Sequence, residues 1–196
     1  IPVSFESGTG IFTDDFDDRN SDGWTEAGVA NWSAASGEYK TTSNEGGVSS
    51  NGCAAWQDYE AQVEIKRNGS LSSTEHVGLV FRFQNSSQYY LAKLYCSSNC
   101  GGSPNDHVYS VELETFDRGA TSTLASSTFT FGDKEYYSLK VSAVGDELNA
   151  KIWQTSTAEP ADWDITATDA SYTQGEIGLT TTTNTTSFDN VAVTPS

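Results

Sequence analysis

The chain has 196 residues and a formal net charge of -17 at pH 7, from 27 acidic and 10 basic side chains. This balance argues against nucleic acids and anionic membrane surfaces as partners, because both require clustered Lys and Arg. The length is sufficient for one sizeable core and no apolar run is long enough to span a membrane, so we expect residues 1–196 to form a single domain.

The chain begins with IPVSFES and contains no methionine. A mature protein that has lost its leader would begin in this way, and so would a piece excised from a longer protein. Secretion is compatible with both, and we therefore expect a secreted or cell-surface location.

The first element of note is the stretch from residue 14 to residue 26, DDFDDRNSDGWTE, which has six carboxylates around one arginine. Within it, alternating oxygen-bearing residues followed by glycine form the D-x-N-x-D-G pattern that opens a calcium-binding loop. Alternate side chains in a tight turn converge on one point, and Ca²⁺ prefers several oxygen ligands. The sequence therefore predicts a calcium site made by Asp18, Asn20, Asp22, the carbonyl of Trp24, and Glu26.

This acidic loop differs from an EF-hand, because Val29 stands where the bidentate Glu would be and no flanking helices are evident. The missing ligands would come from Asp15, Asp17, Glu6 or the C-terminal Asp189. The competing interpretation is a solvated acidic turn, since Asn, Asp, Ser and Gly favour turns without any metal. The density of carboxylates favours calcium.

After the acidic loop, short runs rich in β-branched and aromatic residues alternate with turn sequences such as NGS, NSS and VGD. A spacing of roughly 8 to 12 residues between such runs is typical of a sandwich or a jelly roll. We therefore predict an all-β fold, a two-sheet antiparallel β-sandwich (jelly roll), with no convincing helix. The predicted strands cover residues 61–67, 77–83, 89–95, 107–114, 127–131, 135–144, 147–153, 175–182 and 187–194.

The three cysteines cannot all pair within the chain. Cys96 and Cys100, in YCSSNCGGSPND, are close enough to form a short-range disulfide in an oxidising compartment. Buried thiols or a metal site are the alternatives, although few His residues are available to complete a metal site. Cys53 is most simply a small buried hydrophobic residue.

Aromatic residues make up 12% of the chain. Sugar rings stack on aromatic side chains, while planar polar groups bind sugar hydroxyls. If residues 79, 81 and 83 face the core, Arg82 lies on the other face of its strand, beside tyrosines of the next strand. The alternative is an ion pair between Arg82 and Glu112 or Glu114 on a solvated face. The predicted carbohydrate-binding residues are Arg82, Tyr89, Lys93, Tyr95 and, on a loop where we expect exposure, Trp163.

The sequence also contains residues that could form two kinds of catalytic site, that of a glycosidase and that of a lyase. Glu112, Glu114 and Asp117 have the spacing of the catalytic carboxylates in jelly-roll glycosidases resembling family 16, but with Asp and Glu exchanged, and catalytic geometry is sensitive to displacements of about 1 Å. A lyase would need a Tyr or His base and a cationic group. The residues available for it are Tyr95 or Tyr109, His107 and Arg82, although an acidic protein repels anionic glycans at long range.

Several blocks in order give the sequence a family resemblance: DDFDDRNSDGWTE, YEAQVEIK, VGLVFRFQNSSQYYLAKLY, YYSLKVSAVGDELNAKIW, GEIGLTTTT and SFDNVAV. The chain resembles the concanavalin-A-like, laminin-G-like jelly rolls that are accessory domains of secreted bacterial polysaccharide-degrading enzymes. Nearly the whole chain is covered, apart from the insert CSSNCGGSPND. The resemblance implies a two-sheet sandwich, a structural calcium ion in the N-terminal acidic loop, an FDN turn near the C-terminus, and glycan binding.

The sequence thus predicts a noncatalytic carbohydrate-binding module with structural Ca²⁺, whose partner is a polysaccharide and which is tethered to a secreted catalytic domain. Two alternatives stay open. One is a small jelly-roll polysaccharide lyase or glycoside hydrolase, and the other is a calcium-stabilised adhesive domain of a cell-surface protein.

Overall fold

The computed structural model describes residues 11–42, 45–67, 71–100, 107–130, 136–183 and 186–196. These residues form fifteen β-strands and no helix, hence no helix that could cross a membrane. The predicted all-β class is confirmed. The strands are β1 (Phe12–Asp14), β2 (Thr25–Gly28), β3 (Trp32–Ser33), β4 (Tyr39–Thr41), β5 (Gly47–Asn51), β6 (Tyr59–Arg67), β7 (His76–Asn85), β8 (Gln88–Ser98), β9 (Val108–Asp117), β10 (Ala120–Thr130), β11 (Tyr136–Val144), β12 (Glu147–Gln154), β13 (Ile165–Thr168), β14 (Glu176–Thr181) and β15 (Thr186–Pro195).

Two antiparallel sheets form a sandwich. The first sheet has the strand order β13-β12-β11-β6-β15-β4-β3, and β1 also pairs with β15. The second sheet has the order β10-β9-β8-β7-β14-β5-β2. In each sheet a strand from the C-terminal part of the chain, β15 or β14, lies between strands from the N-terminal half. The predicted jelly-roll β-sandwich is therefore correct.

The core lies between the sheets and follows from the alternation of side chains along each strand. Strand β6, YEAQVEIKR, alternates buried and half-buried residues along its whole length. Strand β11 buries Tyr137, Leu139 and Val141, as its alternation predicts. The inner faces of the two sheets thus supply one continuous apolar layer.

The strands that sequence reasoning missed are β1 to β5 and β13, which have two to five residues each. Such short segments contain too few apolar positions to show a period, and they are extended because a longer neighbour pairs with them. Strand β10 begins at Ala120 rather than at residue 127, because β9 supplies hydrogen-bonding partners along the whole Ser- and Thr-rich edge.

Arg82 is not on the outer face, contrary to the prediction. Its φ of 46° lies in the left-handed region, and the pairing of β7 with β8 shifts register between Phe81 and Asn85. The guanidinium group is fully buried and donates hydrogen bonds to the carbonyls of Gly145, Tyr172 and Gln57 at 2.8, 3.0 and 3.1 Å. Arg82 therefore joins loops at one end of the sandwich.

The cysteines are only partly as expected. Cys96 and Cys100 form a disulfide, which confirms that prediction. Cys53 is a free thiol that is half-buried against the core rather than fully buried. The rest of the insert, residues 101–106, lies outside the described residues.

Candidate functional site

The outer face of the second sheet brings together residues from three neighbouring strands, most of them polar. Residues of β7, β8 and β9 that point away from the core are aligned by the strand registers into three rows. The rows are Val80, Leu91 and Glu114; Gly78, Lys93 and Glu112; and His76, Tyr95 and Ser110. We call these nine residues the polar rows.

Three aromatic rings continue this face beyond the polar rows. Tyr89 stacks between Phe83 and Phe116, with ring centroids 5.9 and 4.9 Å apart. Phe83 reaches this face because the irregularity at Arg82 reverses the alternation of β7. All three rings are half-buried, and Val80 and Leu91 pack beneath Phe83 and Tyr89. We call the three rings the aromatic row.

Lys93 is the centre of the polar rows. Its ammonium group contacts a carboxylate oxygen of Glu114 and lies 3.1 Å from Oε2 of Glu112. The hydroxyl of Tyr95 donates to Oε1 of Glu112 at 2.8 Å, and Nζ of Lys93 lies 4.9 Å from the centroid of the Tyr95 ring. The side chains of Lys93, Glu112 and Glu114 are 21%, 15% and 6% exposed.

The surroundings drive the pKa values of the two glutamates apart. Burial acts to raise both, but for Glu112 the hydrogen bonds from Tyr95 and Lys93 outweigh it and lower the pKa. For Glu114, burial together with the negative charge of Glu112 outweighs Lys93 and raises the pKa. Burial, with a smaller contribution from Lys93, lowers the pKa of His76 to about 4, so its imidazole is neutral at neutral pH.

This face has the chemistry that a sugar requires. The aromatic row offers an apolar surface for the C–H face of a pyranose, and the neighbouring carboxylates and ammonium group can accept from and donate to hydroxyls. Tyr89, Lys93 and Tyr95 are among the residues predicted from the sequence to bind carbohydrate, whereas Phe83 and Phe116 are not. The alternation of β9 would have placed Phe116 on this face if Glu112 and Glu114 had been used as a guide.

The five residues predicted to bind carbohydrate do not form one site. Tyr89, Lys93 and Tyr95 share the outer face of the second sheet, whereas Arg82 is buried. Trp163 lies on the opposite side of the molecule, against the first sheet, with its ring 4.6 Å from Nζ of Lys151. It is half-buried because the loop between β12 and β13 folds back onto the sheet.

Neither catalytic arrangement that the sequence left as an alternative is assembled. Strand β9 is regular from Glu114 to Asp117, so Asp117 has the opposite orientation to the two glutamates, and Gln88 donates to it at 3.0 Å. His107 and Tyr109 are buried, and Nδ1 of His107 lies 3.0 Å from the hydroxyl oxygen of Tyr109. Both residues are therefore separated from the outer-facing Tyr95.

The acidic loop is held by its own side chains. Asp14, Asp15, Asp18 and Asn20 each accept a hydrogen bond from the backbone N–H two residues later, at 2.9 to 3.2 Å. These are successive Asx turns. Gly23 has a φ of 91°, as the predicted sharp bend requires. Trp24 contributes its indole N–H to Asp14 at 2.7 Å.

A cleft of about 570 Å³ lies beside this loop and is lined by three of the predicted calcium ligands, Asp18, Asn20 and Asp22, and by Asp15, one of the residues expected to supply a missing ligand. No group of three or more His, Cys, Asp or Glu side chains in the described part of the chain is arranged to hold a metal ion. Glu26 is exposed on β2, and Glu6 lies outside the described residues. The cleft is lined by Phe12, Thr13, Asp14, Asp15, Asp18, Asn20, Asp22, Asn190, Val191 and Ala192.

Asp189 does not line the cleft, although it lies close to it, next to Asn190. Burial raises the pKa of Asp189 to about 6, with smaller contributions from the charges of Glu64, Glu38 and Asp17. The FDN segment is irregular here: Asn190 has a φ of 48°, and the pairing of β15 with β6 shifts register between Asp189 and Ala192.

Comparison with known proteins places this sandwich in a family. Residues 12–194 match the family model described as the 3-keto-alpha-glucoside-1,2-lyase-like domain. The chain belongs to this family. No curated protein sequence matches the chain significantly.

Solved structures share the fold of this family member. A carbohydrate-binding module, CBM66, from Bacillus subtilis is 20% identical, with 89% of this chain and 96% of that chain covered and a TM-score of 0.64. A xylan beta-1,4-xylosidase from Bacillus halodurans C-125 is 16% identical, with a TM-score of 0.67, and the match covers 98% of this chain and 40% of that chain. A beta-1,3-glucanase from Mycobacterium marinum is 13% identical (TM-score 0.58), with 96% and 100% covered. The fold is thus a jelly roll similar to that of the carbohydrate-binding module.

Proposed function

We propose that this protein is a noncatalytic carbohydrate-binding module, accessory to a secreted polysaccharide-degrading enzyme, that binds its glycan on the outer face of the second sheet. One observation supports this most directly. The aromatic row of Phe83, Tyr89 and Phe116 is continuous with the Lys93, Glu112 and Glu114 cluster, so stacking and hydroxyl recognition are available side by side.

A noncatalytic role is favoured by the state of the carboxylates. Glu112 and Glu114 are both engaged by one ammonium group, and Asp117 is turned away from them. The accessory role is supported by the xylosidase, in which a domain of this fold accounts for 40% of the chain. The similarity of the fold to CBM66, a carbohydrate-binding module, also supports binding.

A sugar lyase is the second candidate. The observation that favours it is the pair of glutamates with separated pKa values beside an ammonium group, because a proton transfer next to a carbonyl needs a base and a group that stabilises the resulting oxyanion. The family description, which names a lyase, supports the same candidate. Release of a product from a bound sugar distinguishes it from a binding module.

The binding proposal is tested by affinity electrophoresis on a panel of polysaccharides. Migration of the wild type should be retarded on at least one, with no reducing-end or unsaturated product formed. Tyr89→Ala removes the central ring of the aromatic row and should weaken binding about tenfold, or about 1.4 kcal/mol. Tyr136→Ala is the matched control, because Tyr136 is a half-buried tyrosine of the first sheet.

Three outcomes contradict this assignment. Equal losses for Tyr89→Ala and Tyr136→Ala would mean that the aromatic row is not the site. Absence of retardation on every polysaccharide would remove the binding function. Product release that is abolished by Lys93→Met would establish the lyase instead.

We also propose that the acidic loop binds structural Ca²⁺ through Asp18, Asn20 and Asp22. Support comes from their alternation, from the cleft that they line, and from side-chain oxygens that suit a hard cation. Backbone carbonyls or waters would complete the shell. A bound ion would stabilise the folded state, because the unfolded chain lacks the site.

Calcium should therefore raise the melting temperature, and a chelator should lower it. At an ion concentration 100-fold above the dissociation constant, the stabilisation is about 2.7 kcal/mol. Asp22→Ala should abolish most of this response in thermal melts, whereas Asp162→Ala, which removes an exposed carboxylate elsewhere, should retain it. Melting curves that are indifferent to chelator and calcium would show that the Asx turns alone hold the loop.

A further inference from the structure

The glycan-binding face has a charge balance that bears on its substrate class. In the polar rows Lys93 is the only side chain with a permanent positive charge, and both Glu112 and Glu114 engage it. We propose that these two glutamates restrict the face to uncharged glycans and exclude uronates. The inference rests on the proposed carbohydrate binding and adds the residues that select the ligand.

The neighbouring strands supply no compensating cation. His76 of β7 is neutral, since burial lowers its pKa to about 4. The outward residues of β14 and β5 that flank β7 are Glu176, Gly178, Thr180, Val48 and Ser50, and those of β10 that pair with Glu112 and Glu114 are Ser126 and Thr123. Among the described strands of this face, a carboxylate ligand would therefore meet one neutralised ammonium group and an excess of negative charge, while the exposed Arg118 in the turn after β9 lies beside Asp117.

Low exposure strengthens this effect. The side chains of Glu112 and Glu114 are 15% and 6% exposed, so water screens their charge less than it would screen surface carboxylates. A uronate would have to displace a glutamate from Lys93 before the ammonium group could bind it. A neutral sugar hydroxyl, in contrast, can donate to a carboxylate without breaking either ion pair.

The first sheet offers a matched arrangement on the opposite side of the molecule. There Lys140 lies 2.8 Å from Glu60 and 3.1 Å from Glu159. Removal of these two carboxylates changes the net charge of the protein by the same amount as removal of Glu112 and Glu114. The comparison therefore separates a local effect at the binding face from a change in overall charge.

The experiment uses soluble β-glucan, galactan and mannan, each as the native polymer and after oxidation of its C6 alcohols to carboxylates. We expect the wild type to bind at least one native polymer and to bind its oxidised form at least tenfold more weakly. Glu112→Gln/Glu114→Gln should bind the oxidised form at least tenfold better than the wild type does. Glu60→Gln/Glu159→Gln should bind the oxidised form no better than the wild type does. If Glu112→Gln/Glu114→Gln does not fold, the single variant Glu112→Gln replaces it in this comparison.

The outcomes separate this inference from the proposed function. Equal binding of native and oxidised polymers by the wild type overturns the inference and leaves carbohydrate binding intact. The same gain in both double variants also overturns it, because overall charge would then explain the selectivity. If no native or oxidised polymer binds, both the inference and the proposed function fail.

Discussion

Arg82→Ala should lower the free energy of unfolding by about 3 to 5 kcal/mol. The guanidinium group is fully buried and donates to three backbone carbonyls, those of Gly145, Tyr172 and Gln57. Alanine would leave these carbonyls without their donor at the end of the sandwich, and an unsatisfied buried polar group costs about 1 to 3 kcal/mol. Urea denaturation followed by tryptophan fluorescence measures the difference.

Two further variants make this result specific. Arg118→Ala removes a side chain that is 79% exposed and whose Nε lies 3.9 Å from Oδ1 of Asp117. This substitution should lower the free energy of unfolding by less than about 0.5 kcal/mol. Arg82→Lys keeps the charge but lacks the planar fork that serves several carbonyls, so its stability should be intermediate. If Arg82→Ala unfolds at the same urea concentration as the wild type, this network does not hold the loops.

Lys93→Met should lower the free energy of unfolding by about 2 to 4 kcal/mol at pH 7. The substitution leaves Glu112 and Glu114 as neighbouring carboxylates without their shared cation, and Glu114 is only 6% exposed. Lys140→Met is the matched control in the first sheet. Its partners Glu60 and Glu159 are 31% and 40% exposed, and the loss should be under about 1 kcal/mol.

The loss in Lys93→Met should shrink as the pH falls towards 4. The folded-state pKa of Glu114 is raised above the ordinary value of 4.5. The folded protein therefore loses stability as the pH rises from 4.5 through the folded-state pKa of this carboxyl. Lys93 opposes this shift, so its removal raises the pKa of Glu114 further and deepens the loss at neutral pH. Glu112 also loses Lys93, one of the partners that lower its pKa, and keeps the hydrogen bond from Tyr95. Urea midpoints at pH 4 and pH 7 test this, and an equal loss at both would contradict the ion-pair explanation.

Much of the candidate site was predictable from local alternation. Tyr89, Lys93 and Tyr95 occupy alternate positions of one strand, and they do share a face in the structure. The pairing of that strand with β9, which brings Glu112 and Glu114 to Lys93, depends on a register between separate segments. A register is set by the packing of the whole sheet, and the sequence of one strand does not specify it.

The errors at Arg82 and Trp163 have different physical causes. At Arg82 one residue with positive φ reverses the alternation, so the arginine turns inward and Phe83 turns outward. Polar loop composition suggested that Trp163 would be exposed, but the loop folds back and places the ring over Lys151. A loop's path depends on contacts with distant residues, which composition does not reveal.

The amino-acid sequence by itself determined the all-β class, the nine longest strands and the turn at Gly23, and it favoured the disulfide between Cys96 and Cys100 over two alternatives, between which the structure decided. These features depend on periodicity, on short loops, and on the conformational freedom of single residues, all of which are local. The tertiary structure decided which strands became neighbours, which face received the aromatic row, and how Lys93 is shared between two glutamates. These features require residues far apart in the chain to meet, and the free energy that selects them comes from burying both sheets against each other.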